Sequence, residues 1–205
     1  IIEAFKKVYK AADGNLPRLL LAPRHPERFG EVAELIKETG FNWIKRTSAL
    51  SFDDEMADVI LLDTIGELRA VYPLAKIVFV GGSLIPHGGQ NVLEPAIEKN
   101  AIVTGFYTMN FSEIIRTFLE NDALIQLPEL NENEIPEKLT RAFLTLLKDR
   151  ERREKLDENA FETIRHNRGA LQRTVKLLKP ALHVQGNMLR GITKHPEFIK
   201  TEAAV

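Results

Sequence analysis

Short uninterrupted apolar runs punctuate this chain: Leu19-Leu20-Leu21-Ala22, Val59-Ile60-Leu61-Leu62, Ile77-Val78-Phe79-Val80 and Ala101-Ile102-Val103-Thr104. A strand apolar on successive residues must be covered on both faces, the condition of a parallel sheet between helical layers. Between the runs the period lengthens. Ile1, Phe5, Val8 and Ala12 share one helical face and predict a helix stopping at Asp13-Gly14-Asn15. Phe29, Val32, Ala33 and Ile36 predict a second helix closed by Gly40, and Phe41 to Arg46 a strand after it. Thr64-Ile65-Gly66-Glu67 has the form of a capping box opening the next helix. A further helix is predicted from about Val92, and another over Phe111, Ile114, Ile115 and Phe118, with Asn110 and Glu113 placed to cap it. Ala123 to Leu127 completes the strands. This alternation predicts an α/β fold: a doubly wound, Rossmann-like parallel sheet with right-handed crossovers.

Beyond the last strand the pattern is helical only. Ile135, Leu139, Ala142, Phe143, Leu146 and Leu147 form one stripe, and Lys148 to Lys179 reads as a charged helical stretch that Pro180 ends or kinks. The mixed signs of Lys148 to Lys155 suit a solvated face. From His183 to Val205 the apolar residues are scattered, so residues 1–180 are expected to form a nucleotide-binding domain and 181–205 an extension outside its core.

Composition narrows the function classes. The 205 residues carry 28 Lys and Arg against 29 Asp and Glu, a net charge of −1, and 44% are apolar. That apolar share argues against disorder, and the balanced charge argues against nucleic acid as a partner. No cysteine is present, which excludes disulfides and thiolate metal sites, and no H-x-x-x-H pair suggests a metal; no cofactor is expected. No apolar run approaches the ~18 residues of a membrane span and no signal peptide opens the chain, so a soluble unit is expected. The first residue is Ile1, not Met, as in a piece of a longer protein.

In an open parallel sheet, ligands bind outside the carboxyl ends of the strands. Three segments of unusual composition fall at such ends: Pro23-Arg24-His25-Pro26-Glu27-Arg28, Asp63-Thr64-Ile65-Gly66-Glu67, and Gly81 to Asn91 with its cluster of glycines. Pro95 belongs in the first turn of a helix, since deeper in it would cost about 3 kcal/mol. The helix therefore starts near Asn91, and its end aims N–H groups toward Gly88-Gly89, an arrangement suited to phosphate. Asn91 and Glu94 either cap that helix or reach a ligand, Glu94 then accepting from sugar hydroxyls. Arg24, directly after a buried strand, presents a planar donor fork matched to phosphate. Gly66 and Glu67 fit a capping box, but glycine is a poor helix former and also permits close ligand approach. Asp53-Asp54-Glu55 reads as a solvated loop.

Taken together, Ala22-Pro23-Arg24-His25-Pro26-Glu27-Arg28-Phe29, Asp63 to Leu68, Gly81-Gly82-Ser83, and Gly88-Gly89-Gln90-Asn91-Val92-Leu93-Glu94-Pro95-Ala96 resemble the 3-deoxy-D-manno-octulosonic acid (Kdo) transferases. Asn167-Arg168-Gly169-Ala170-Leu171 looks like that family's late helix. The resemblance implies the C-terminal, donor-binding half of a GT-B glycosyltransferase. Such enzymes move Kdo from CMP-Kdo to the lipid A precursor, without a metal, in Gram-negative lipopolysaccharide synthesis at the cytoplasmic face of the inner membrane. It also implies that CMP contacts fall on Pro23 and Arg24, on Ile65, Gly66 and Glu67, and on Asn91, Val92, Leu93 and Glu94. Gln90 stands where the family often has His, and cannot become cationic. The acceptor-binding, membrane-contacting half, which carries the carboxylate base, would precede this chain; no catalytic residue is expected within it. Two alternatives stay open: another GT-B enzyme such as a nucleotide-sugar epimerase, or a nucleotide-binding module without chemistry.

Overall fold

In the computed structural model, residues 1–12, 16–49 and 52–167 are described. The chain divides into two units, Ile1–Ile164 and Arg165–Val205. The described part of the second is the last turn of the final helix, so the predicted features around Arg168, Pro180 and residues 181–205 lie outside the described residues.

The strands are β1 (Leu19–Leu21), β2 (Trp43–Lys45), β3 (Val59–Leu61), β4 (Ile77–Val80), β5 (Ala101–Thr104) and β6 (Ile125–Gln126). Among the described residues every ladder is parallel, in two three-stranded sheets ordered β1-β3-β2 and β4-β5-β6. The helices are α1 (Ile2–Lys10), α2 (Phe29–Lys37), α3 (Leu68–Val71), α4 (Leu93–Ile97), α5 (Ser112–Glu120), α6 (Ile135–Lys148) and α7 (Arg150–Asn167). Strands and helices thus alternate as the apolar periods predict, with ends that differ by a few residues.

The second sheet is covered on both faces, which is why β5 is buried along its whole length. Side chains alternate across a strand. Ala101 and Val103 accordingly pack with Ala4, Leu139 and Leu146, while Ile102 packs with Ile115, Phe118 and Ala160. The first sheet has its own core, in which Val59 and Leu61 meet Ala33 and Ile36 of α2 and Phe5 of α1. Helix α1 joins the two: Ala4 belongs to one cluster and its neighbour Phe5 to the other. Phe5, Tyr9 and Phe41 form an aromatic trio with centroids 5.1–5.8 Å apart, and the Tyr9 hydroxyl donates to Asp58 Oδ1 at 2.7 Å.

Three local expectations are corrected. Thr64 and Glu67 form no capping box: Glu67 itself precedes α3, and its carboxylate accepts from the Thr64 hydroxyl at 2.7 Å. Asn110 and Glu113 do not cap α5, because Asn110 Nδ2 donates to the His87 carbonyl at 3.2 Å and Glu113 pairs with Arg116 at 2.7 Å. Within the charged run, Arg153 is half-buried and donates to the Leu146 carbonyl at 2.6 Å, satisfying the C-terminal end of α6. Among the described residues no helix is long and apolar enough to cross a membrane.

Candidate functional site

Parallel pairing puts the carboxyl ends of β1, β2 and β3 on one edge, and those of β4 and β5 on one edge of the second sheet. The two edges meet through side chains. Arg24, just beyond β1, is exposed and donates through Nη1 to Gln90 Oε1, in the loop that runs from β4 to α4. Pro23 before it is half-buried. Arg28, in the same segment, is engaged elsewhere: its guanidinium grips Glu31 bidentately at 3.1 and 3.2 Å. Only Arg24 of this pair turns toward the second sheet.

Of the glycines after β4, Gly82, Gly88 and Gly89 meet the chain's own atoms, whereas a Cβ at Gly81 would meet open space. Gly88 has φ +89°, and a Cβ there would stand 2.7 Å from Asn110 Oδ1. Gly105, after β5, presses its Cα against the Ser83 carbonyl, while the buried Ser83 hydroxyl donates to Val80 O at 2.6 Å and accepts from the Gly105 N–H at 2.8 Å. The loops after β4 and β5 are laced further by Tyr107 N–H to Ser83 O at 2.9 Å and Asn110 N–H to Gly88 O at 3.1 Å. The close backbone approach that glycine permits is here used between two loops, and it fixes the position from which Asn91 starts.

Helix α4 has five residues, so its macrodipole is small. Its Leu93 N–H is occupied by Asn91 Oδ1 at 2.9 Å. Glu94 is exposed and accepts a long bond from Asn91 Nδ2, 3.4 Å. The helix end is therefore served by Asn91, and Glu94 faces outward. Val92 is 1% exposed and so can offer a ligand its backbone only, while Leu93 is half-buried against the same core with its N–H already taken by Asn91. Tyr72, just after α3, is close enough to feel Glu94. Burial, with that carboxylate second, pushes its phenol up to about 12.

The third segment carries a group that the sequence reading missed. Arg46, directly after β2, binds Glu67 through Nε to Oε2 at 3.2 Å and Nη2 to Oε1 at 3.3 Å. Beside it, Asp63 accepts from the Thr47 N–H at 3.1 Å and the Thr47 hydroxyl at 2.5 Å. Burial opposes ionisation of Asp63, but these bonds prevail and hold its carboxyl below the ordinary value. Gly66 has φ +86° with open space where a Cβ would lie, and its neighbour Ile65 is 64% exposed. The signal for Arg46 was available: like Arg24, it is an arginine immediately after a strand.

The predicted site residues thus fall in two groups at strand ends: Arg24 joins Gln90 at the head of the Asn91–Glu94 segment, and Glu67 joins Thr64 and Arg46. Among the described residues no cluster of three or more His, Asp or Glu is placed to hold a metal ion.

No protein-family model matches the chain. It is 43% identical over 182 residues to the 3-deoxy-D-manno-octulosonic acid transferase of Haemophilus influenzae, covering 88% of this chain and 41% of that protein. It is 32% identical over 163 residues to the enzyme of that name from Bordetella pertussis, covering 80% of this chain and 37% of the relative. The chain therefore spans about two fifths of the length of these relatives. Among solved structures, the C-terminal CMP-Kdo binding domain of WaaA from Acinetobacter baumannii superposes with a TM-score of 0.65 at 31% identity, covering 72% of this chain and 73% of that one. A shared α/β fold with parallel sheets, together with this identity across most of a solved domain, establishes that the chain belongs to the 3-deoxy-D-manno-octulosonic acid transferase family.

Proposed function

We propose that this chain is the donor-binding half of a GT-B glycosyltransferase, holding CMP-Kdo while Kdo passes to a lipid A precursor. The observation that carries the proposal is the junction of Arg24 with Gln90, which brings a cation from one sheet to the Asn91–Glu94 segment of the other. The similarity to a solved CMP-Kdo binding domain supports the donor. Because α4 is short and Asn91 already takes the Leu93 N–H, Arg24 supplies most of the charge for the phosphate. Glu94 holds ribose hydroxyls, Pro23, Val92 and Leu93 contribute backbone or packing contacts, and Ile65 with Gly66 offers an exposed apolar surface beside Glu67.

In the reaction, an acceptor hydroxyl oxygen bonds to the anomeric carbon of Kdo as the bond from that carbon to the CMP phosphate oxygen breaks. The electron pair leaves with CMP, where Arg24 stabilises the developing charge, usually the largest catalytic term. The hydroxyl proton passes to a carboxylate on an N-terminal half. That half binds the lipid acceptor and meets the cytoplasmic face of the inner membrane. The chain alone therefore binds donor but transfers nothing, since missing proximity and general-base terms are together worth on the order of 10 kcal/mol of barrier. Incubation with fresh CMP-Kdo and lipid acceptor, beside a full-length transferase, is expected to yield Kdo-lipid only from the latter. Product from this chain alone would overturn the assignment of the base.

Glu94 provides the test of the donor site. A ribose contact discriminates CMP from its 2′-deoxy and 3′-deoxy analogues, whereas a helix-end role affects all three alike. Glu94→Gln is expected to flatten the affinity ratios that calorimetric titration measures for the unaltered protein. Identical ratios in both proteins would return Glu94 to the helix end.

A further inference from the structure

We infer that Arg46 is a positioning residue of the donor site, acting through Glu67. The inference rests on the proposed donor site, in which we count Glu67, a CMP contact that the family resemblance implies. As a stabilising pair, Arg46 and Glu67 would contribute little. Their side chains are 58% and 39% exposed, and pairs so placed are screened and entropically costly. Two contacts nevertheless join them: Nη2 donates to Oε1 at 3.3 Å, and Nε lies 3.2 Å from Oε2 as an ion pair. The planar guanidinium fork imposes an orientation that a point charge would not. The Thr64 hydroxyl also donates to Oε2 at 2.7 Å, so both oxygens are held while Oε1 retains capacity to accept from a ligand.

The base of this arrangement is fixed on both sides. Arg46 N–H donates to the Leu61 carbonyl at 2.8 Å, continuing the ladder of β2 and β3, and Thr47 clamps Asp63 through backbone and hydroxyl. Just beyond these anchors lies Gly66 with φ +86°, a left-handed turn that ends in Glu67. Glu67 stands at the terminus of that turn, exposed enough to rotate; the Thr64 hydroxyl and Arg46 together hold its carboxylate, and Arg46 is the one that reaches it from β2. A carboxylate accepts only, so the ligand groups it can read are donors, such as a sugar hydroxyl or the exocyclic amine of cytosine.

The experiment titrates CMP, 2′-deoxy-CMP and UMP into the unaltered protein, Glu67→Gln, Arg46→Met and the double variant, with melting temperatures recorded alongside. Arg46→Met is expected to weaken CMP binding by about fivefold to tenfold. It should shift the preference among the three nucleotides in the same direction as Glu67→Gln, at an unchanged melting temperature. In the double variant the loss should not exceed that of Glu67→Gln, the mark of residues acting as one unit. Wild-type affinity and preference in Arg46→Met, with Glu67→Gln impaired, would overturn the inference and leave the donor site standing. Losses that multiply in the double variant would also overturn it, making Arg46 an independent contact. Absence of CMP binding by the unaltered protein would instead remove the donor-site assignment, and the inference with it.

Discussion

Gly105→Ala is expected to destabilise the protein by about 3 kcal/mol, the upper part of the range for overpacking a close-packed site. For a chain of this size that corresponds to a fall of about 6–12 °C in melting temperature. An added Cβ would stand 2.6 Å from the Ser83 carbonyl carbon and 2.9 Å from the Leu84 nitrogen, both backbone atoms that no rotamer change can move aside. The neighbouring bonds make relaxation costly as well. Ser83 accepts the Gly105 N–H and donates to Val80, Tyr107 N–H returns to Ser83 O, and Gln126 Nε2 donates to the Gly105 carbonyl at 3.3 Å. Separating the loops by the needed distance breaks several of these at once, in a place where lost bonds are not replaced by water. Gly30→Ala is the control: its Cβ meets nothing within 4 Å, and it lies in α2, where alanine is the better helix former. Circular dichroism melts showing Gly105→Ala equal to the unaltered protein would refute this account of the loop pair.

Arg24→Ala is expected to weaken CMP binding at least tenfold. Charge-assisted hydrogen bonds contribute about 1.5–3 kcal/mol each, and the short α4 offers the phosphate no comparable substitute. The structure supplies two arginine controls whose guanidiniums are engaged elsewhere. Arg28 is gripped by Glu31, and Arg153 donates to the Leu146 carbonyl at the end of α6. Arg28→Ala and Arg153→Ala should therefore keep the affinity of the unaltered protein, although Arg153→Ala should melt earlier because it orphans a helix-end carbonyl. Equal calorimetric affinity for Arg24→Ala and the unaltered protein would separate the phosphate from β1 and remove the central contact of the proposed site.

What the sequence determined by itself was periodicity and position. Continuous apolar runs specify strands covered on two faces, and β5, buried throughout, sits where Ala101 to Thr104 reads that way. Arginines, glycines and acidic residues after those runs could be placed at strand ends, because parallel strands all finish on one edge. Side-chain pairing was a different matter. Thr64 and Glu67 have the spacing of a capping box, yet Gly66 turns left-handed between them and the carboxylate bonds to Thr64 and Arg46 instead of a backbone N–H. Asn110 stands where a cap belongs, but its amide is used by the loop after β4. Spacing along the chain reports local partners only. Arg46 and Glu67, and Gly105 and Ser83, are brought together by the order of strands in their sheets, and Arg24 and Gln90 by the meeting of the two sheets; all are tertiary properties. The glycine cluster shows the same division: its composition marked a loop after a strand, and only the packed structure decided that Asn110 would press on Gly88 and the Tyr107 carbonyl on Gly89.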